Sequence, residues 1–297
     1  MEEKLLFSTF LNDIKDKMRF SNSNLASYMN CSESAISLCL NKKSLLGFDK
    51  IVSLKDSLIS IENKNIFDFV FNYFPSGFYH GSRQGIEGEI DVERNKGKTL
   101  DFGYGFYLGT TFKQSSTFVA AESEGKDRVY KFSFSLDGLD YLELRDIRWV
   151  FFVAYNRKKI PDTPENQNII RQIKRIINHG YDVIVGPIAD DKMAISMDNF
   201  FNNNISYGQL IRCLTQLDIG DQYCLKTNKA CKNLKCEVTY CCLDDGLRNL
   251  IREYAFESCQ KAFKHAEIIN SQKDNGKKFS ELLKEYEKKR LFWELHK

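Results

Sequence analysis

Apolar residues recur at three- and four-residue intervals in Phe7, Phe10, Leu11, Ile14 and Met18, which predicts one buried face of a helix. Ser21-Asn22-Ser23-Asn24 supplies turn and N-cap chemistry for a next helix, Leu25 to Met29. Ser32 is placed to cap a third, Glu33 to Leu40, with acid in its first turn and Lys42 and Lys43 after its end, as the helix dipole favours. No strand pattern shows before Asn63. Beyond it, Val129 to Ser135 alternates with period two and predicts a strand, as does Tyr141 to Leu144. Arg148 to Lys158 and Glu165 to Asn178 read as helices. Tyr181 to Gly186 reads as a buried strand, and Gln222 to Thr227 and Lys235 to Cys242 as two more. Asp245 is placed to cap a helix through Ser271, with Leu247, Leu250, Ile251, Tyr254 and Ala255 on one face. After Asp274-Asn275-Gly276, a last helix carries Leu282, Leu283, Tyr286, Leu291 and Trp293.

Three regions follow: an all-α segment over 1–63, a mixed segment over 76–243, and a helical extension over 244–297. Helices and strands do not alternate strictly, so the fold class expected is α+β rather than a doubly wound sheet. At 297 residues, 42% hydrophobic and 28% charged, the chain has an ordinary globular balance. A net charge of +3 implies no global pull toward nucleic acid. No run reaches the eighteen or so apolar residues of a membrane helix, and Met1-Glu2-Glu3-Lys4 lacks a basic signal-peptide head. A soluble, cytoplasmic protein with no membrane partner is expected. Nine cysteines, an odd number, do not suit a disulfide framework. Cys231, Cys236, Cys241 and Cys242 cluster, with His265 downstream, but zinc sites use tighter pairs. They read as thiols in a reducing compartment, and no metal is expected.

Glycines crowd between Gly77 and Gly109, and chemistry concentrates there. Phe78-Tyr79-His80-Gly81-Ser82-Arg83 ends a short apolar run with a His and a Gly. Further on comes Phe102-Gly103-Tyr104-Gly105-Phe106-Tyr107-Leu108-Gly109-Thr110. Gly103 and Gly105 let the backbone turn tightly or approach a ligand. Phe106, Tyr107 and the later Phe118 offer flat faces for an aromatic ligand ring. His80 can hydrogen-bond a ribose hydroxyl, and the Gly81 backbone an amide. Each part alone reads more simply as a satisfied polar residue or a turn beside a core. A dinucleotide-fold fingerprint is absent, because Leu108 stands where its third glycine would.

In order and spacing these motifs resemble the poly-ADP-ribose polymerase and diphtheria-toxin class of ADP-ribosyltransferases, called H-Y-E after its motif residues. Ser115 falls where that class keeps a serine against the nicotinamide amide, and Phe118 where it keeps a second stacking aromatic. The resemblance implies a split β-sandwich with NAD as substrate. In it His80 and Ser82 serve the ribose side, Gly81 pins the carboxamide, Gly105 shapes the loop, and Tyr107 with Phe118 sandwiches nicotinamide. A bacterial family of this class shares segments like Tyr181 to Lys192 and Asp221 to Thr227, so the likeness runs from about Phe78 to Leu234. The third motif departs from the class. Its glutamate position is held by Gln222, beside Asp221. An amide can accept a bond from the nicotinamide ribose 2′-hydroxyl, at a loss of about 1 kcal/mol of charge assistance, but cannot act as a base. Single transfer to a macromolecular acceptor is then the expected chemistry, rather than chain elongation. Asp190 or Asp191 is the alternative source of a carboxylate.

Asn24 to Met29 followed by Cys31 to Ser37 resembles the helix-turn-helix of phage-repressor-type domains. By that resemblance Ser34, Ser37 and Asn41 face base edges and Lys42 and Lys43 face phosphates of operator DNA. A helical bundle for protein contacts fits the same pattern. Together the two resemblances imply the toxin of a toxin–antitoxin or phage-defence system, with an antitoxin as partner. The alternative is a DNA-binding regulator whose transferase-like domain senses NAD.

Overall fold

A computed structural model of the protein describes residues 2–121, 127–188, 191–215, 220–241 and 243–289. The chain opens with β1 (Glu2–Lys4), α1 (Phe7–Met18), α2 (Asn22–Tyr28), α3 (Glu33–Leu40), α4 (Phe48–Ser60) and α5 (Ile66–Phe71). Then come β2 (Phe78–Ser82), β3 (Phe106–Gly109), α6 (Phe112–Ala121), β4 (Arg128–Ser133), β5 (Tyr141–Glu143) and α7 (Ile147–Asn156). A 3-10 turn at Pro164–Asn166 leads into α8 (Gln167–His179), followed by β6 (Val183–Pro187), α9 (Asp191–Phe201) and α10 (Tyr207–Thr215). The remainder is β7 (Asp221–Leu225), α11 (Asn228–Lys232), β8 (Lys235–Cys241), α12 (Asp245–Ser271) and α13 (Phe279–Glu287). The fold mixes α and β, with parallel and antiparallel neighbours among its strands.

Two compact units divide the chain. One comprises Met1–Ile86, Thr110–Ser133 and Cys236–Glu257; the other comprises Glu87–Gly109, Phe134–Lys235 and Ser258–Lys297. These are not the three consecutive regions read from the sequence. The first 63 residues share a core with the strands: Phe10, Leu11, Ile14, Leu25, Ile36, Leu54 and Leu58 cluster with Tyr79, Phe112, Val129, Leu247 and Ile251. Short helices with one apolar stripe each bury too little alone, so their stripes converge on β2, α6 and the start of α12.

In the first unit the strand order is β1-β8-β4-β2. β2 and β4 run antiparallel, from Phe78 opposite Phe132 to Ser82 opposite Arg128. β1 corrects the expectation of a strand-free N-terminus: Glu2, Glu3 and Lys4 pair in parallel with Thr239, Tyr240 and Cys241. All three are exposed and carry no strand pattern; backbone pairing with β8 makes them a strand.

The second unit orders its strands β3-β7-β6-β5. β7 lies between β3 and β6, antiparallel to both, and β5 joins β6 in parallel. Strand β6 is buried over Val183–Gly186, as its unbroken apolar run predicts. α7 and α8 supply the largest share of this core, joined by Met197, Phe200 and Phe201 of α9 and by Phe279, Leu282 and Leu283 of α13. Leu291 and Trp293 of the last predicted helix lie outside the described residues.

The capping signals hold for α2 and α3. The Ser21 and Asn24 side chains and backbones bond reciprocally, and Ser32 Oγ accepts from Ala35 N at 3.2 Å. At α12 the cap is Asp244, not the predicted Asp245. Asp244 Oδ1 accepts from Leu247 N at 2.7 Å and its Oδ2 from Phe7 N at 2.8 Å, so one carboxylate caps both α12 and α1. Burial pushes this carboxyl above its ordinary value, against the two amide bonds that lower it. Asp244→Ala is expected to lower stability by about 2–3 kcal/mol, two caps at about 1 kcal/mol or more each, whereas Asp244→Asn keeps only the one cap its single amide oxygen can accept. Because the folded pKa is raised, the charged group's contribution falls as pH rises through that pKa. The Asn variant is therefore expected to gain on wild type from acid to neutral pH. Denaturant unfolding of the three proteins at two pH values checks this; equal stability of Ala and Asn variants would refute the capping role.

Candidate functional site

β2 alternates, and its alternation sorts the candidate residues. Tyr79 is fully buried, its hydroxyl donating to Pro75 O at 2.7 Å. His80 therefore faces the other way, half-buried, opposite Tyr130 of β4 with ring centroids 6.4 Å apart. The Tyr130 hydroxyl accepts from Ile86 N at 2.8 Å, and Ser82 Oγ donates to Gly85 O at 2.9 Å. Both bonds fold the chain after β2 back beside His80. Ser82 then offers a bound substrate only acceptor capacity.

Gly81 meets α6. A Cβ there would stand 2.6 Å from the Ser115 carbonyl oxygen, 3.1 Å from Val119 Cγ1 and 3.3 Å from Phe118 Cδ1. The glycine is required by this approach of helix to strand. α6 starts at a reciprocal cap, in which Thr111 Oγ1 accepts from Gln114 N and Gln114 Oε1 from Thr111 N. Ser115 is buried, whereas Phe118 is half exposed with the Arg83 guanidinium 4.4 Å over its ring. Arg83 Nε and NH2 each donate to Phe118 O at 3.3 Å. His80, Gly81, Ser82, Ser115 and Phe118 are thus brought together within the first unit, with Arg83 an addition the sequence did not suggest.

Gly105, Tyr107 and Gln222 belong to the second unit. Gly103 (φ 74°) and Gly105 (φ 151°) both take left-handed backbone. Asn95 holds Gly105 through paired 2.9 Å bonds, Nδ2 to Gly105 O and Gly105 N to Oδ1. Tyr107 on β3 closes the loop from the other end: its hydroxyl donates to Gly103 O at 2.6 Å and accepts from Phe102 N at 3.1 Å. Burial, the Cys224 thiol and Asp101 push this phenol well above its ordinary pKa, so Tyr107 stays neutral and acts by shape. Lys226 donates to Phe102 O at 2.8 Å and to Tyr104 O, and lies 4.3 Å over the Tyr104 ring. Burial lowers the pKa of that amine.

Gln222 sits on β7 between Gly109 of β3 and Gly186 of β6. It is buried, and its Nε2 donates to Asp101 Oδ2 at 2.8 Å and to Pro187 O at 3.2 Å. Asp101 is buried too, with Arg157 Nε at 2.8 Å and NH2 at 2.7 Å from its Oδ1. Sequence reasoning missed Asp101 and Arg157. The available signal was a carboxylate directly before Phe102-Gly103; nothing local pairs it with residue 222. Asp221, by contrast, points to Arg145, which donates to its two oxygens at 3.0 and 2.7 Å. Asp190 and the Asp191 side chain lie outside the described residues.

A family model for a protein of unknown function (DUF3990) matches residues 77–236, more than half of the chain. The chain belongs to this family. The family segment contains every residue assigned above to an NAD site and leaves α1 to α5, most of β8, α12 and α13 outside it. Neither a curated protein nor a solved structure matches the chain.

Outside the family segment, Ser34, Asn41, Lys42 and Lys43 are exposed on and after α3, and Ser37 is half-buried. Asn41 spends its amide on its own helix end, Nδ2 to Ser37 O at 2.8 Å. Cys236 and Cys241 lie on β8 of the first unit and Cys231 in the second, while Cys242 lies outside the described residues. Among the described residues no helix is long and apolar enough to cross a membrane.

Proposed function

We propose that this chain is an NAD-dependent mono-ADP-ribosyltransferase with a split-sandwich catalytic domain of the H-Y-E kind, acting as a growth-arresting toxin. The observation that carries the reading is the seating of Ser115 and Phe118 on Gly81. Three residues that the resemblance assigns to nicotinamide, far apart in sequence, share one strand–helix contact beside His80. The Tyr107-clamped glycine loop adds a neutral aromatic on rigid backbone.

In this reading the resemblance assigns the Gly81 backbone to the carboxamide, Tyr107 and Phe118 each to a face of nicotinamide, and His80 to the adenosine-side ribose. The N-glycosidic bond breaks, nicotinamide leaves with the bonding pair, and the positive charge spreads over the ribose C1′ and ring oxygen. Gln222 accepts the 2′-hydroxyl bond as that charge develops. An acceptor nucleophile takes C1′ and loses its proton to solvent or to a base of its own. Arg83 over Phe118 leaves its ring when nicotinamide arrives, and its charge suits the pyrophosphate. The exposed polar residues around α3 support a second task for a repressor-like helix-turn-helix, binding operator DNA or an antitoxin.

Purified protein incubated with NAD labelled in the adenylate, together with a cell lysate, is expected to put label into a macromolecule and release nicotinamide. Gln222→Ala is expected to lower turnover by about 10–100-fold, the loss of one buried bond to a developing charge, with a much smaller change in KM for NAD. Equal changes in both constants, or no nicotinamide release by wild type, would count against the assignment.

A further inference from the structure

The environment of Gln222 fixes more than its position. Its Nε2 faces the Asp101 carboxylate at 2.8 Å and the Pro187 carbonyl at 3.2 Å. Both partners only accept hydrogen bonds, so the amide has one orientation, with NH2 toward Asp101 and Oε1 away from it. Arg157, bonded to the other oxygen of Asp101, holds that carboxylate in place. All four groups sit in the second unit, and Asp101 and Gln222 are buried.

We infer that Asp101 is a positioning residue that orients Gln222 so its Oε1 accepts from the nicotinamide ribose 2′-hydroxyl, a proposal resting on the transferase reading above. Asp101 also polarises the amide through its N–H, which makes Oε1 a stronger acceptor. The chain thus divides the task of one glutamate between two residues: a buried carboxylate supplies the charge and a neutral amide makes the contact.

A consequence distinguishes this arrangement from a simple loss of the glutamate. Restoring glutamate at 222 would put two carboxylates at hydrogen-bond distance, with the Arg157 guanidinium only on the other oxygen of Asp101, and one carboxylate would have to take a proton or move away. Gln222→Glu alone is therefore expected to be impaired rather than improved. Adding Asp101→Asn removes the first charge and relieves the conflict, because the new amide at position 101 can donate to the new carboxylate at position 222.

The test is a cycle of wild type, Asp101→Asn, Gln222→Glu and the double variant, read by nicotinamide release from NAD and by thermal unfolding against pH. Asp101→Asn is expected to cut kcat by about tenfold, the orienting bond being charge-assisted, with KM for NAD moving less than about threefold. Gln222→Glu is expected to lose more and to unfold at lower temperature at neutral pH, regaining stability toward about pH 5 as one carboxyl protonates. The double variant is expected to recover at least about fivefold in kcat over Gln222→Glu and to lose that pH dependence. Independent, multiplying losses, or unchanged kcat in Asp101→Asn, would overturn the positioning role. Coupling seen in unfolding but no nicotinamide release by wild type would sink the transferase reading and leave Asp101 a structural partner. Turnover without coupling would sink only the Asp101 assignment.

Discussion

Cells expressing the unaltered chain are expected to stop growing, and cells making Tyr107→Ala at the same level are expected to grow. Replacing Tyr107 removes one of two faces that would desolvate the nicotinamide ring, a loss of about 1–3 kcal/mol by analogy with base–aromatic stacking. That is about a five- to hundredfold drop in NAD affinity. The structure adds a second cost, since the Tyr107 hydroxyl holds both Gly103 O and Phe102 N. Tyr107→Phe separates the two: it keeps the stacking face and loses the clamp, so it should retain more growth inhibition than Tyr107→Ala. A regulator that only senses NAD behaves otherwise. Its overexpression is tolerated, or its effect follows Lys42 and Lys43, exposed beyond α3. Growth curves for wild type, both Tyr107 variants and a Lys42/Lys43 double alanine variant, at matched protein levels, distinguish the readings. Growth arrest that survives Tyr107→Ala combined with His80→Ala would remove the enzymatic toxin from consideration.

The second large effect is on stability. Gly105→Ala is expected to cost about 3 kcal/mol or more. At φ 151° an L side chain is strained by about 1–3 kcal/mol. The added Cβ would also meet Cys224 Sγ at 2.5 Å and Leu225 O at 2.7 Å, and forced overpacking adds about 1–3 kcal/mol. Neither neighbour yields easily, because both belong to β7, which is paired on both sides. Gly88→Ala is the control: its φ is 73°, nothing lies within 4 Å of the added carbon, and it should cost only about 1 kcal/mol. Denaturant midpoints measure the difference; similar costs at the two sites would mean that the loop before β3 adjusts freely.

How much of this was legible beforehand depended on distance along the chain. The faces of α1, α3, α7 and α8 and the alternation of β4 came from local periodicity, which backbone geometry imposes within a few residues. Ser21 and Ser32 were readable as caps for the same reason: the amides they serve lie three residues away. The motif residues were readable by resemblance, and β2 and α6 join five of them in one unit. α6 itself went unread, because Ser115, Ser116 and Thr117 look like loop chemistry, although in the folded chain Ser115 and Ser116 are buried. β1 was invisible, since its three exposed residues owe their conformation to β8.

What the sequence determined by itself was the apolar faces of α1, α3, α7 and α8, the strands β4 and β6, and the glycine-rich motif loop. Tertiary structure alone decided three further things. It cut the chain into two units unlike the three sequence regions, because the apolar stripes of the first helices bury against β2, α6 and α12. It chose Asp244 over Asp245 as the cap, because only a carboxylate at that position reaches both Leu247 N and Phe7 N. It gave Gln222 a buried carboxylate 121 positions away, through β7 lying against the loop that carries Asp101. Periodicity and capping act within a turn or a pleat, whereas these three depend on long-range packing that brings distant groups within hydrogen-bond or contact distance.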